Sequence, residues 1–495
     1  MMGIHASVSR KATVVLLDLR SIPNCYAFHP MRLRFPDSVS TSRYFNKRPW
    51  STLCLSLLIA TALSLAAAGQ EASAPQLERI VQSYVDNKQF MGSVLVARGG
   101  STLLDKGYAS ADLEWDIPNS PTTKFRLGSI TKQFTAAGIL LLEERGKLST
   151  DDLVKKYMPD APAAWDKITI YNVLTHTSGI PSFTEFPDYR SSEATPTTPE
   201  KLVARFRDKP LNFQPGEKWE YSNSGYVLLG YLLEKISGER YQDFLQKNFF
   251  TPLAMHDTGY DSNSEIIPHR ASGYTPGPQG IHNAGYIDMT IPFSAGALYS
   301  TVEDLRRWEN ALFGGKVLSA ASFTKMTTPF KQDYACALAV HTAHGHKVIE
   351  HGGGIEGFNT ELAYYPDDKL TVIVLGNLNG PAVGAIAEKL AESVHGQQVV
   401  LPSERKEVPV AQDVLAKYVG TYEVSPTFSI VVTLEDNHLM GQGTNQPKFQ
   451  LYPESETKFF LKAVDAEVEF HPDATGHAAS LTLFQNGQEI KGTRK

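Results

Sequence analysis

The sequence predicts a mixed α/β chain, α+β in layout: an antiparallel sheet flanked by helices with an all-helical subdomain, followed by a small all-β barrel. Three observations carry this. Strand patterns occur near both ends of residues 69–396 with a long helical stretch between them, so one sheet must be assembled from distant segments. The helix expected over 129–145 is apolar nearly all round, which places it at the centre of its domain. Beyond residue 410 the pattern changes to short alternating strands separated by turn residues.

The first 68 residues stand apart from this layout. They hold eight of the basic residues and only two acidic ones, so without them the formal charge falls from −6 to −12. Within them, Lys47 and Arg48 precede an apolar run over 53–65 and the small-residue exit Ala66, Ala67 and Ala68, the pattern of a secretory signal. A signal starts at an N-terminus, which places the expected start at Met31 or a nearby codon. The apolar run is shorter than the ~20 residues of a spanning helix, and a retained anchor is the alternative. The expected location is therefore secreted or periplasmic, with membrane contact only through that segment if it is retained. Cys25 and Cys54 leave with it and Cys336 remains alone, so the mature chain has no disulfide framework.

From residue 77 the elements run in order. A helix is expected over 77–87, then strands over 92–98 and 102–108 around the turn at Gly99 and Gly100. The apolar helix over 129–145 ends at Gly146, a residue suited to a left-handed cap. From 149 to about 290 helices alternate with Pro- and Gly-rich loops, including a helix over 225–237 ended by Gly238. Strands are expected again over 334–340, 347–351, 360–365 and 370–375, and a closing helix over 382–394. The polar, proline-containing stretch 397–410 reads as a linker. Strands over 428–434, 438–441, 458–461, 467–470 and 481–485 then make up the C-terminal part, 411–495, where Asn486-Gly487 is a type I′ hairpin signal.

An acidic mature surface argues against nucleic acid as a partner, since that needs a basic footprint. A small molecule or short peptide is the natural partner. The chemistry-bearing residues start with Leu127-Gly128-Ser129-Ile130-Thr131-Lys132, where serine opens the buried helix and lysine follows three residues on, so both side chains share a face. A lysine held in a dry cleft beside the serine is able to lose its proton and act as a base. The helix N-terminus supplies partial positive charge and free N–H groups where an oxyanion would form. Taken alone, this pair is a weak signal and is better explained by a capping serine and a solvated lysine.

Further elements change that balance. They are Tyr221-Ser222-Asn223 after Pro215-Gly216-Glu217, and His351-Gly352-Gly353, supported by 174–181 (Leu-Thr-His-Thr-Ser-Gly-Ile-Pro) and 295–301 (Ala-Gly-Ala-Leu-Tyr-Ser-Thr). With these in order over 77–394, the chain resembles the serine beta-lactamase and penicillin-binding-protein superfamily. It is most similar to the class C-like branch with its DD-carboxypeptidases, D-aminopeptidases and esterases, carrying in addition a lipocalin-like C-terminal β domain. The resemblance implies Ser129 as the nucleophile of an acyl-enzyme, Lys132 and Tyr221 sharing the proton work, and Asn223 positioning substrate. Which of Lys132 and Tyr221 is the primary base stays open. His351, Gly352 and Gly353 take the place of the K-T-G element at the cleft edge, and the N–H of Gly354 joins that of Ser129 as the oxyanion hole.

Histidine in place of lysine is the chief departure. It is mostly neutral near pH 7, which weakens the case for penicillin turnover and strengthens peptidase or esterase use. The expectation is an exported serine hydrolase acting on an ester, a D-amino-acid amide or a beta-lactam-like substrate, with no metal and no organic cofactor. The alternative is a catalytically weak penicillin-binding-type protein that holds cell-wall peptide. Two further patterns are set aside. Gly352-Gly353-Gly354-Ile355-Glu356-Gly357 matches a dinucleotide fingerprint, but a strand rather than a helix is expected after it. His341, His344, His346 and His351 cluster in sequence with only Glu350 as a carboxylate, and His344 and His346 suit a solvated hairpin turn better than a metal site.

Overall fold

The computed structural model describes residues 72–495, apart from 278, 402–403, 426–427, 445, 463–465 and 486–487. The expected export signal and the Asn486-Gly487 turn lie outside the described residues. No helix among the described residues is long and apolar enough to cross a membrane.

The chain enters through helix α1, Ala74–Asp86, whose start is fixed by a reciprocal pair of bonds between Ser73 and Gln76. Strands β1, Gly92–Arg98, and β2, Ser101–Tyr108, follow. They join β3, Ala339–Ala343, β4, His346–Ile355, β5, Phe358–Tyr365, and β6, Leu370–Gly376, in one antiparallel sheet of order β3-β4-β5-β6-β1-β2. The join between the two halves runs along β1 and β6, from Gly92 opposite Gly376 to Arg98 opposite Leu370.

Both sheet faces are covered, which explains why β1 and β6 carry consecutive apolar residues over 94–97 and 372–375 instead of alternating. Val94, Val96, Val372 and Val374 point to one side and pack under α1 and the closing helix, Ala382–Val394. Leu95, Ile373 and Leu375 point to the other and meet the larger core, built on helix α2, Thr131–Glu144. That helix is buried on every side but its last turn, and Trp308 locks it by stacking 4.1 Å from Phe134 and donating to Gln133 at 3.0 Å. Helix α3, Asn223–Ser237, lies against α2 and ends at Gly238, whose φ of 75° is the left-handed cap its sequence predicts.

Some expectations are corrected. The strand expected over 334–340 is displaced, with the ladder to β4 beginning only at Ala339 and Tyr334 making isolated bridges; Gln332, Asp333 and Ala337 sit at positive φ, so the chain turns too tightly to stay in the ladder. The apolar character of 334–338 comes instead from burial in the main core. The helical region contains a short hairpin, Tyr274–Gly277 with Gly280–Asn283. Helix 129–145 begins as a 3₁₀ turn, Gly128–Ile130, and becomes α-helical at Thr131.

The C-terminal part is a closed eight-stranded barrel: β7, Gly420–Ser425; β8, Phe428–Glu435; β9, His438–Gly443; β10, Lys448–Pro453; β11, Lys458–Phe460; β12, Ala466–Pro472; β13, Ala478–Gln485; and β14, Gln488–Arg494. Three of these, β7, β10 and β14, were not predicted. The stretch read as a linker is tied down on both sides: Val399 and Leu401 are buried with α1, and Arg405 pairs with Glu467 of the barrel.

Candidate active site

Three segments converge on Ser129. Gly128 brings the chain into the 3₁₀ turn at φ 54°, a conformation that suits glycine, and leaves the Ser129 hydroxyl half-buried at the cleft floor. One turn on, Lys132 is fully buried with Nζ 2.9 Å from Ser129 Oγ. The expected shared face is thus realised. Tyr221 comes from the loop before α3 and donates its hydroxyl to Ser129 Oγ at 2.8 Å. Asn223, the first residue of α3, accepts from Lys132 through Oδ1 at 2.9 Å and donates to Thr184 at 3.1 Å. The carbonyl of Ala295 accepts from Lys132 at 2.8 Å.

The proton count on Lys132 follows from these partners. Asn223 Oδ1 and the Ala295 carbonyl are acceptors only, so they take two N–H groups. Burial holds the ammonium pKa well below its ordinary value, with no carboxylate offsetting it. A neutral amine then has two N–H donors for two acceptors and one lone pair facing the Ser129 hydroxyl. Burial also pushes the Tyr221 phenol up, so it stays protonated and remains a donor.

Strand β4 forms the opposite wall. Gly353 lies so close to the Ser129 segment that a Cβ there would sit 2.0 Å from the Leu127 carbonyl oxygen and 2.3 Å from Thr360 Oγ1. Thr360 itself donates to that carbonyl at 2.8 Å. Gly353→Ala is expected to prise β4 from the nucleophile loop, costing about 1–3 kcal/mol of stability and at least tenfold in kcat/KM; thermal melts and steady-state rates measure both.

The cleft is a cavity of about 240 Å³ lined by Gly128, Ser129, Asn223 and Gly354, with Phe183, Thr184 and Tyr189 on one side and Glu356 at the other. His351, Gly352 and Gly353 are not on that lining. His351 is buried behind it, with Nε2 2.9 Å from the Tyr334 hydroxyl and Nδ1 2.6 Å from the Gly352 carbonyl. Burial and the nearby Lys132 lower its pKa to about 4, so it presents no cation near neutrality.

Several residues here were not predicted. Arg190 bridges the cleft to Glu356 at 2.8 Å, and Tyr334 sits beneath His351. His176, from the 174–181 motif, accepts from the Ser222 N–H at 3.1 Å and packs 4.4 Å from the Tyr221 ring, fixing the approach to α3. His176 and Glu356 lay in stretches singled out from sequence and Tyr334 at the start of an expected strand; Arg190 comes from the short helix Tyr189–Ser192, which carries no such signal.

The histidine cluster separates. His341 pairs with Glu350 at 2.8 Å, and His346 stacks on His395 at 3.7 Å. His344 meets Glu388 and Glu392 at 2.9 and 3.1 Å, so carboxylates other than Glu350 do reach the group, from a helix whose approach the sequence does not display. The glycine-rich 352–357 stretch runs from strand through a turn into strand, as expected, leaving no helix N-terminus for a dinucleotide.

The beta-lactamase family matches residues 77–396, and a domain of unknown function, DUF3471, matches 404–494. Penicillin-binding protein 4* of Bacillus subtilis (strain 168) is 30% identical over 446 residues, covering 84% of this chain and 98% of that protein. The octameric penicillin-binding protein homologue from Pyrococcus abyssi superposes with a TM-score of 0.61 at 25% identity, over 85% of this chain and 99% of its own. A D-stereospecific amidohydrolase from Streptomyces sp. superposes with a TM-score of 0.55 at 26% identity, over 65% and 97%.

Proposed function

The chain belongs to the beta-lactamase family, and from that premise we propose that it is an exported serine hydrolase that cleaves esters or D-amino-acid amides through an acyl-enzyme. The observation that carries this is the set of hydrogen bonds around Lys132. With both its N–H groups committed to Asn223 and Ala295, its lone pair is left to take the Ser129 proton. Ser129 Oγ attacks the carbonyl carbon of the substrate, and the developing oxyanion is received by the N–H groups of Ser129 and Gly354. Tyr221 delivers a proton to the leaving group and is re-protonated from Lys132. Water then enters on the same base to release the acid, and no metal or cofactor is invoked.

Substrate preference follows from His351. A neutral, buried imidazole offers no fixed cation for the carboxylate of a penicillin. Short esters and D-amino-acid amides fit the cleft better, and the amidohydrolase likeness supports the second. The partner is thus a small molecule or short peptide, met outside the cytoplasm in keeping with the penicillin-binding relatives.

A fluorophosphonate label followed by peptide mass spectrometry tests the chemistry, alongside nitrophenyl esters, D-alanyl anilides and nitrocefin. The expected result is label on Ser129 only, with esters and D-anilides turned over faster than nitrocefin. A protein that takes no label and turns over none of the panel is a binder, not a hydrolase.

The pH dependence has a definite sign. The Lys132 pKa is lowered, so protonation of its amine as pH falls through that value removes the base, and kcat/KM rises with pH on the acid side. Tyr221, being raised, adds no descending limb in the neutral range, and His351 adds none between about pH 6 and 8. Activity that climbs as the buffer is acidified below neutrality contradicts the assignment.

A further inference from the structure

The barrel is filled at one end and hollow at the other. Tyr418, Phe459 and Phe470 stack together in the filled half, with Tyr418 and Phe470 rings 4.6 Å apart. The other half encloses a cavity of about 350 Å³ lined by Ile430, Val432, Leu451, Val468 and Leu483. The hollow traces to β9. Leu439 points into the barrel, so Gly441, two residues on, occupies an inward position with no side chain to fill it, while the space at Gly443 is taken by Gln446 and Phe428.

A second cavity, of about 460 Å³, lies where the barrel meets the hydrolase part. Pro447, Phe449 and Gln485 of the barrel line both cavities, and Tyr84, Leu378 and Ala385 complete the apolar wall of the second. Each volume falls in the range of ~300–1,000 Å³ typical of small-molecule sites. Protein interiors are otherwise packed with few voids larger than a water molecule, and an eight-stranded barrel is just wide enough either to be filled by its own side chains or to hold one small ligand.

The linings carry one charge. Lys88 is exposed at the end of α1 on the rim of the second cavity, and among the described residues it is the only charged group on either lining. It makes no ion pair with any described residue, in a chain whose net charge is negative. Two adjoining apolar cavities with a lone cation on the rim of one match an apolar chain with an anionic head.

We propose that the barrel and the adjoining cavity bind a single-chain amphiphile of the long-chain carboxylate class, its chain towards the hollow half of the barrel and its carboxylate at Lys88. The site is separate from the Ser129 cleft and stands whether or not the acyl-enzyme reading holds.

The test titrates dodecanoate, below its micellar range, into the full chain and follows the heat. Saturable binding at one site is expected. Gly441→Leu should weaken it at least tenfold, because a Cβ there meets nothing closer than Leu451 at 3.4 Å and the rest of the side chain enters the hollow. Lys88→Met should weaken dodecanoate severalfold and leave dodecanol unchanged. Melting temperature and hydrolysis of a short ester report whether Gly441→Leu is folded; if it is not, Ala466→Leu on β12 fills the same space. Absence of saturable binding overturns the proposal, as does equal affinity in the folded filling variants. Loss of dodecanoate binding after phosphonate labelling also overturns it, since that places the chain in the catalytic cleft.

Discussion

Ser129→Ala lowers kcat/KM on every hydrolysed ester or amide by roughly 10⁴-fold or more, with the melting temperature unchanged. The size follows from what the hydroxyl does: it forms the covalent bond, so its loss removes the route and leaves only the N–H groups of the cleft to polarise a carbonyl. The fold does not depend on it, because Ser129 sits in a 3₁₀ turn held by its neighbours and makes no cap bond to α2. Two other groups point at Oγ, Lys132 and Tyr221, and both keep other contacts when it is gone. The readouts are steady-state rates, phosphonate labelling and a thermal melt. A variant that still takes label places the nucleophile elsewhere.

Lys132→Met is the second large effect, at about 10²–10⁴-fold in kcat/KM, and it separates function from stability. The amine is buried without a carboxylate, an arrangement that costs stability because burial disfavours its charged form. By linkage, an unfolded lysine binds a proton the folded one has lost, so stability due to this group rises with pH up to the unfolded pKa. Methionine fills the same volume without that cost, but strands the Asn223 and Ala295 acceptors. The expected melting temperature is therefore no lower than wild type at pH 7, and less dependent on pH between neutrality and about pH 10. A melting temperature that falls together with activity would show that Lys132 is mainly a structural pin.

What could be read from sequence followed the periodic parts of the chain. Ser129 and Lys132 lie on a helix, where three residues fix a shared face, and their contact was deducible. Asn223 and Tyr221 were placed by the motif, and the structure adds that Ser222 caps α3 by accepting from the Gly225 N–H. Thr184 and Arg190 line the cleft from single helical turns and Glu356 from a strand-to-strand turn, elements too short for the sequence to carry a direction for a side chain. His351 was placed on the correct strand, yet its role as a buried partner of Tyr334 depended on where 334–338 goes, and that segment had been read as strand because it is apolar. Burial and pairing are different causes of the same composition. In the barrel, β8 and β9 were legible through alternation; β10 alternates too, with Phe449 and Leu451 on one face and Lys448 and Gln450 on the other, but was not predicted, whereas β14 is mostly polar and only the closed ladder reveals it.

The pairing of β1 with β6 sets an order of events for the growing chain. Gly92 and Gly376 are partners, so β1 pairs only with β2 until nearly 300 more residues have been made. At about 5–20 residues per second that wait lasts on the order of tens of seconds, during which the valine-bearing β1 has one open edge. Contacts this distant in sequence make folding slow. The six-stranded sheet therefore cannot close early, and its two halves meet only after most of the polypeptide has been synthesised.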